Sequence, residues 1–332
     1  MPDFPQLELL LYWVLERESV RLAREAGDPP PWSSDPIFQR ERFCHVEREN
    51  DAVTKWIRQH WREPYRDNAD IWFLMAIARL GGNDPKILAE LTPPLPWDRG
   101  RYLDEMRVKG LKVGVRGYRS IIGDKGVATH EHLARNVFDP LWASRAQIRP
   151  RDGGTCRSFF DKLSAFSGLG GSGFLAAQIV ADVKFTPLLA NASDFWDFCS
   201  PGPGSQRGLN VVCGRDFDAP WSEERWRATF NELRAVAGPQ IEEMLGRRLS
   251  ASDAQSCLCE LSKYFRAKTT GRIARPFKLG GGQAQRPPTR RRCEPASAPI
   301  ETPTPSPVCV EPAPFARTLF TRLVAPFINK TN

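Results

Sequence analysis

Apolar residues recur at helical spacing along most of the first 270 positions of the chain. Leu7, Leu10, Leu11, Val14 and Leu15 make one stripe, and Glu16, Arg17, Arg21 and Arg24 face away from it. This pattern predicts an amphipathic helix that Gly27 and the prolines at 29–31 end. Trp32 to Arg48 is turn-rich at first, then aromatic and basic. Val53, Trp56, Ile57 and Trp61 predict the next helix, and Trp72, Phe73, Ala76, Ile77 and Leu80 another. Asp84-Pro85 reads as the cap and first-turn proline of a short helix to Leu91, and Asp98 as the cap of one to about Lys109. The glycine-rich, β-branched and basic run at 110–126 fits either a short hairpin or an irregular loop. From Thr129 to Trp142 the helical period returns.

The middle of the chain is the most strongly patterned. Phe159, Phe160, Leu163 and Phe166 recur at helical spacing, and Gly168, Gly170, Gly171 and Gly173 then interrupt. The period restarts at Phe174, Leu175 and Ile179 and runs to Val183. The pattern reads as helix, glycine hairpin and helix over about 157–183. Such a turn directs backbone N–H groups outward at a helix N-terminus, which suits a phosphate; a plain αα-corner produces the same spacing. Asp194 opens a short aromatic helix, and Pro201 to Asn210 reads as a loop with little regular structure. Ser222, followed by Glu223 and Glu224, starts a helix to about Val236. Ser250 to Asp253 resembles a capping box and opens the last core helix, with Cys257, Leu258, Leu261 and Phe265 as its buried stripe.

From Gly271 the composition changes: eleven of the 29 prolines fall there and none of the ten tryptophans does. The fold class is therefore mostly α, with one helical core over 1–270 and a disordered, low-complexity, proline-rich tail over 271–332. That tail carries a basic cluster, Arg286 to Arg292, and a weakly amphipathic segment, Phe315 to Ile328.

Charge and cysteines narrow the class. Forty-seven Lys and Arg against 39 Asp and Glu give a formal charge of +8, a tilt towards a polyanionic partner such as nucleic acid. No apolar run approaches the ~18 residues of a membrane span, and the short run Leu9 to Val14 is followed at once by charges. Eight cysteines without a disulfide rhythm point to an intracellular chain, in cytoplasm or nucleus, with reduced thiols. Cys257-x-Cys259, Cys44-His45 and His130-x-His132 lack metal-ligand spacing, so no metal is expected. The pattern G-x-x-x-x-G-K-[ST] is missing, which excludes a Walker-type nucleotide site.

Several residues can carry chemistry. Asp194 lies 24 positions after Gly170, beside Phe195, Trp196 and Phe198. A carboxylate among aromatics can act as a base, although capping a short helix is the commoner task of an Asp there. Ser205, Gln206 and Arg207, with Arg215 behind them, can hold a phosphate or pyrophosphate, or form an ordinary surface turn. Aromatic and basic residues alternate over Arg40 to Trp61, a pattern able to stack bases. Trp56 and Trp61 nevertheless fall on the apolar face and belong to the core.

Helix, G-x-G hairpin, helix and then an Asp two dozen residues on resembles the helix-hairpin-helix DNA glycosylases. The matching residues are Leu163, Gly168-Leu169-Gly170, Ala176-Ala177 and Asp194. The resemblance implies that Gly168, Gly170, Gly171, Ser172 and Gly173 bind the DNA backbone and that Asp194 acts on an extruded nucleotide. The chain departs from the pattern in two ways. Ser172-Gly173-Phe174 offers no Lys for a Schiff base, and the cysteine cluster of an iron–sulfur centre is missing. No cofactor is therefore implied, although a monovalent cation at the hairpin is compatible with the pattern.

A closer resemblance covers most of residues 7–267. DPIFQRERFCHVERENDAVTKWI, GLGGSGFLAAQIVADVKF, DFWDFCSPGPGSQRGLN and DAQSCLCELSKY look like a DNA base hypermodification family. That family is related to the alpha-glutamyl/putrescinyl thymine pyrophosphorylases and to the helical domain of 5-hydroxymethyluracil DNA kinases. The resemblance implies a partner DNA, with a DNA kinase or other base-modifying enzymes acting alongside. It further implies a transferase that flips a base and displaces pyrophosphate from an activated hydroxymethyluracil with an amine. Asp194 would be the base, and Trp196 would line the base pocket. Ser205, Arg207 and Arg215 would steady the leaving group, and Asp253, Gln255, Glu260 and Lys263 would complete the site. Glu260 and Lys263 equally suit a surface i,i+3 pair. The competing expectations are a monofunctional glycosylase on a modified base and a non-catalytic DNA-binding module.

Overall fold

The computed structural model describes residues 3–81, 83–113, 127–151, 153–166, 169 and 173–276. The chain divides into two units, Met1–Ala274 and Arg275–Asn332, and the first of these carries the helices. The basic cluster and amphipathic segment of the tail, and most of the glycine-rich run at 110–126, lie outside the described residues.

Among the described residues the chain is helical throughout, with no β-strand. The first helices are α1 (Leu7–Glu25), α2 (Pro36–Arg40), α3 (Ala52–Ile57), α4 (Ile71–Leu80), α5 (Pro85–Leu88) and α6 (Arg99–Val108). Next come α7 (Thr129–Leu133), α8 (Asp139–Ala143), α9 (Arg145–Ile148), α10 (Cys156–Ser164) and α11 (Phe174–Val183). The last three are α12 (Pro203–Val212), α13 (Glu223–Leu245) and α14 (Ala251–Thr270). None of the described helices is long and apolar enough to cross a membrane.

Caps fall where the sequence puts them. Asp84 accepts from the Lys86 amide at 2.9 Å and Asp98 from the Arg101 amide at 3.0 Å. Helix α14 starts after Ser250 and ends at Gly271, whose φ of +69° is a left-handed position that glycine takes without strain. Helix α13 runs past Val236 to Leu245 despite Pro239, because Leu233, Ala237 and Ile241 continue its buried stripe. The aromatic residues after Asp194 form turns rather than a helix.

Pro201–Asn210 corrects the sequence reading. In place of a loop, Pro203–Val212 forms a helix, with Pro203 in its first turn and Ser205 closing its start through the Gly202 amide at 3.0 Å. Gly204 and Gly208 lie one turn apart on the face that meets α14. There a β-carbon on Gly208 would come 2.6 Å from the Leu258 carbonyl carbon. Glycine here serves backbone contact between helices, and tertiary packing outweighs its poor helix propensity.

One continuous core was the expectation, yet the buried side chains fall into two clusters. The first gathers α4, α10 and α11 with their neighbours, around Trp72, Phe73, Phe138, Phe159 and Ile179. The second joins the N-terminal helix to the C-terminal ones, around Trp13, Phe38, Trp226, Phe230 and Leu261. What divides them is polar. Asp182, Lys184, Arg79 and Glu260 are buried charges of the helical body, and an apolar core cannot run through charges that need partners.

His45 illustrates that polar environment. Burial, and then Arg17, Lys55, Arg21 and Arg24, push its imidazole down to about 3. Its Nδ1 is buried without a hydrogen-bond partner. An unfolded chain binds the His45 proton from about pH 6.5 downward, whereas the folded one resists it. The stability associated with neutral His45 is thus complete above about pH 6.5 and is lost as pH falls towards 3. Thermal melts from about pH 7 to pH 4 should therefore show a shallower loss for His45→Asn than for the wild type. Parallel profiles would refute this.

Candidate functional site

Four chain segments meet at the seam between the two clusters. They are the start of α10, the end of α11, the turns at 194–200 and the start of α14. Asp194 joins the first and third. Its carboxylate accepts from the backbone amides of Cys156 at 2.7 Å and Arg157 at 2.9 Å, the first two residues of α10. Thr155 takes the Ser158 amide at 3.0 Å, so the start of that helix is fully occupied. Asp194 is thus a cap, as an Asp at that position commonly is, but of a helix nearly forty residues upstream. Arg157 donates to the Cys199 carbonyl at 3.2 Å and lies over the rings of Phe160 and Phe198.

The third and fourth segments are joined by the Trp196 carbonyl, which accepts the first amide of α14, from Ala251, at 2.8 Å. Trp196 itself is 43% exposed, with the Arg248 guanidinium 5.2 Å from its ring centre.

Helix α11 contributes two buried charges in an otherwise apolar run. Asp182 is fully buried and accepts from Arg79 of α4 through Nε at 2.5 Å and Nη2 at 2.6 Å, with Arg48 at 3.4 Å. Burial alone would raise its carboxyl; Arg79 and Arg48 outweigh that and hold it below the usual carboxylate range. Lys184 is 3% exposed and donates to Ser250 Oγ at 3.0 Å and Ser252 Oγ at 3.1 Å. Burial lowers its pKa, against the raising effect of Asp253, Cys156 and Glu49, and Arg48 lowers it further.

A cavity of about 40 Å³ opens here between α11, the turns and α14. Arg48, Gln178, Lys184, Ser252, Asp253 and Gln255 supply its polar wall, and Phe198 an apolar one. Its size suits a phosphate or a few waters rather than a whole base. A larger cavity, about 280 Å³, lies inside the second cluster beside α13 and is lined mainly by aliphatic side chains.

The structure brings together some of the sequence candidates and separates others. Asp253 and Gln255 line the seam cavity; Asp253 accepts from the Arg48 amide at 3.1 Å and from Ser250 Oγ at 2.6 Å. Glu260 is buried, accepts from the Cys44 amide at 3.1 Å and pairs with Lys263 one turn on. Ser205 is fully buried at the start of α12. Arg207 pairs with Asp218 at 2.6 Å, and Arg215 stacks 3.8 Å from the Trp221 ring centre. None of these last five residues lines the seam cavity. Gly173, with φ +67°, precedes α11 and lies against Phe160. Gly168, Gly170, Gly171 and Ser172 lie outside the described residues.

Sequence reasoning missed Arg48, Lys184, Ser250 and Ser252. The signal for Lys184 and Asp182 was present: two charges at the end of an apolar helical run are anomalous unless partners come from elsewhere.

The motifs that hold these residues are also those of a recognised family. Its sequence model, described as 5-hmdU DNA kinase, helical domain, matches residues 5–82 and 115–272. The chain belongs to that family. Membership ties it to hydroxymethyluracil DNA modification and covers all four segments of the seam. No curated protein and no solved structure matches the chain.

Proposed function

We propose that the chain is a DNA base-modifying transferase acting on a 5-substituted uracil, with the seam as its reacting site. DNA docks through the glycine hairpin between α10 and α11. The extruded base lies against the exposed Trp196 ring, and the phosphoryl end of its activated hydroxymethyl group enters the cavity beside Lys184 and Arg48. An incoming amine then displaces pyrophosphate at the exocyclic methylene. Asp194 accepts from two backbone amides and from the Cys156 thiol, and a remaining lone pair accepts the amine's proton.

One observation carries the reading. In a family tied to hydroxymethyluracil, a phosphate-sized cavity with two cationic side chains opens where the hairpin helix meets the rest of the fold. We assign the leaving-group role to Lys184 and Arg48 rather than to Arg207 and Arg215, because the first two line the cavity and the other two do not. The experiment is product analysis on DNA bearing pyrophosphorylated hydroxymethyluracil, with a primary amine present. An altered base on an intact sugar is the expected product; abasic DNA would mean a glycosylase instead.

A further inference from the structure

We propose that the larger cavity, beside α13, binds an apolar α-amino acid as its zwitterion. It shares no lining residue with the seam cavity: α14 turns Ala254, Cys257 and Leu258 to this one, and Ser252, Asp253 and Ser256 to the other. Leu10, Phe230, Leu233, Ile241, Leu249 and Leu258 are buried around it, so its depth is apolar. A dry cavity of ~150 Å³ already admits a benzene ring. This one, at about 280 Å³, holds a phenyl or branched alkyl group with its polar head at the mouth.

Two residues of its wall work against the helix that carries them. Gly238 and Pro239 lie inside α13, and glycine and proline are the least favourable residues of a helix interior. Gly238 has no left-handed φ, and no atom stands within 4 Å of where its β-carbon would be. Neither backbone conformation nor close contact requires glycine there; the missing side chain leaves room at the cavity wall. Pro239 has no N–H, so the Ala235 carbonyl, in the same wall, lacks the helical donor four residues on. Local rules broken at one cavity, with no packing gain at Gly238, mark a place that serves function.

The charges of the wall decide the ligand's head. Arg234, Gly238 and Glu242 follow at intervals of four along one line of α13, which sets a cation and an anion about two turns apart with the glycine gap between them. Arg248, from the segment before α14, lines the same cavity. Arg234 and Arg248 share one carboxylate, Asp197, at 3.1 and 3.9 Å, which leaves one positive charge uncompensated. Glu242 is exposed and, among the described residues, pairs with neither arginine. An ammonium between Glu242 and the Ala235 carbonyl, with a carboxylate on Arg248, satisfies all three groups at once. An apolar carboxylate alone leaves Glu242 facing a second anion, and an apolar amine alone leaves Arg248 facing a second cation.

Binding here is independent of any reaction at the seam. Isothermal titration of the full chain with phenylalanine, 3-phenylpropionate and 2-phenylethylamine compares one apolar body under three heads. Saturable binding of phenylalanine at one site is expected, with each singly charged analogue about tenfold weaker or more, the worth of one charge-assisted contact. Gly238→Leu should abolish phenylalanine binding while its melting temperature does not fall, since leucine is a good helix former. Glu242→Gln should weaken phenylalanine about tenfold and leave 3-phenylpropionate no weaker. No binding of phenylalanine to the folded wild type, equal binding of the three probes, or undiminished binding by Gly238→Leu would overturn the proposal.

Discussion

Asp182→Asn should destabilise the helical body by about 3–5 kcal/mol, the cost of removing one partner from a buried ion pair. Asp182 is fully buried, and Arg79 holds it by two bonds of 2.5 and 2.6 Å while itself 3% exposed. The substitution leaves the Arg79 guanidinium charged in a dry site, because an arginine does not shed its proton. At roughly 2–4 °C per kcal/mol, the melting temperature should fall by about 6–20 °C. Removing both Asp182 and Arg79 should be gentler than the sum of the single changes, since the buried Arg79 charge goes with its partner and only the half-buried Arg48 loses a contact. A fall in melting temperature of under about 2 °C for Asp182→Asn would show that the pair does not fasten α11 to α4. Under the proposed function the pair bears on the site, because α11 and the residue that caps it carry Gln178 and Lys184 to the seam cavity.

Gly208→Ala should be comparably damaging. A methyl at that position would overlap the Leu258 carbonyl, with its carbon 2.6 Å and its α-carbon 2.9 Å away. These are backbone atoms, so relief requires α12 and α14 to move apart. Overpacking of this kind costs roughly 1–3 kcal/mol, and more where backbone must shift. The general preference of helices for Ala over Gly, about 1 kcal/mol, acts in the opposite direction and is outweighed. Gly238→Ala supplies the contrast. That residue also lies within a helix, α13, but nothing stands within 4 Å of its added methyl. It should raise the melting temperature where Gly208→Ala lowers it. The same sign at both positions would mean that helix propensity, not close contact, governs α12.

The helices legible in the sequence are those with an adjacent side-chain cap, such as α6 and α14. Their determinants lie within a few residues of each other. Helix α1 was legible as a helix but not in its faces, because Glu16 and Arg17, read as facing away from the apolar stripe, are buried. Helix α12 was not legible, because its glycines and proline signal a break locally and earn their place only against α14. The site divides in the same way. Asp194 stands out by its spacing from the hairpin, yet the amides it binds belong to a helix 37 and 38 residues earlier. Lys184 meets its two serines across 66 and 68 residues of chain, and Asp182 meets Arg79 across 103. Such partnerships are properties of the folded seam, and no local pattern encodes them.

The central claim is that this chain alters a base in DNA without breaking its bond to the sugar. Mass analysis of nucleosides tests it most directly. DNA carrying pyrophosphorylated 5-hydroxymethyluracil is incubated with the full chain and a primary amine, then digested. The account predicts an aminomethyluracil nucleoside and an equal amount of released pyrophosphate, both lost with Asp194→Asn. Unchanged nucleosides with the folded wild-type chain, or free base and abasic sites in their place, would contradict it.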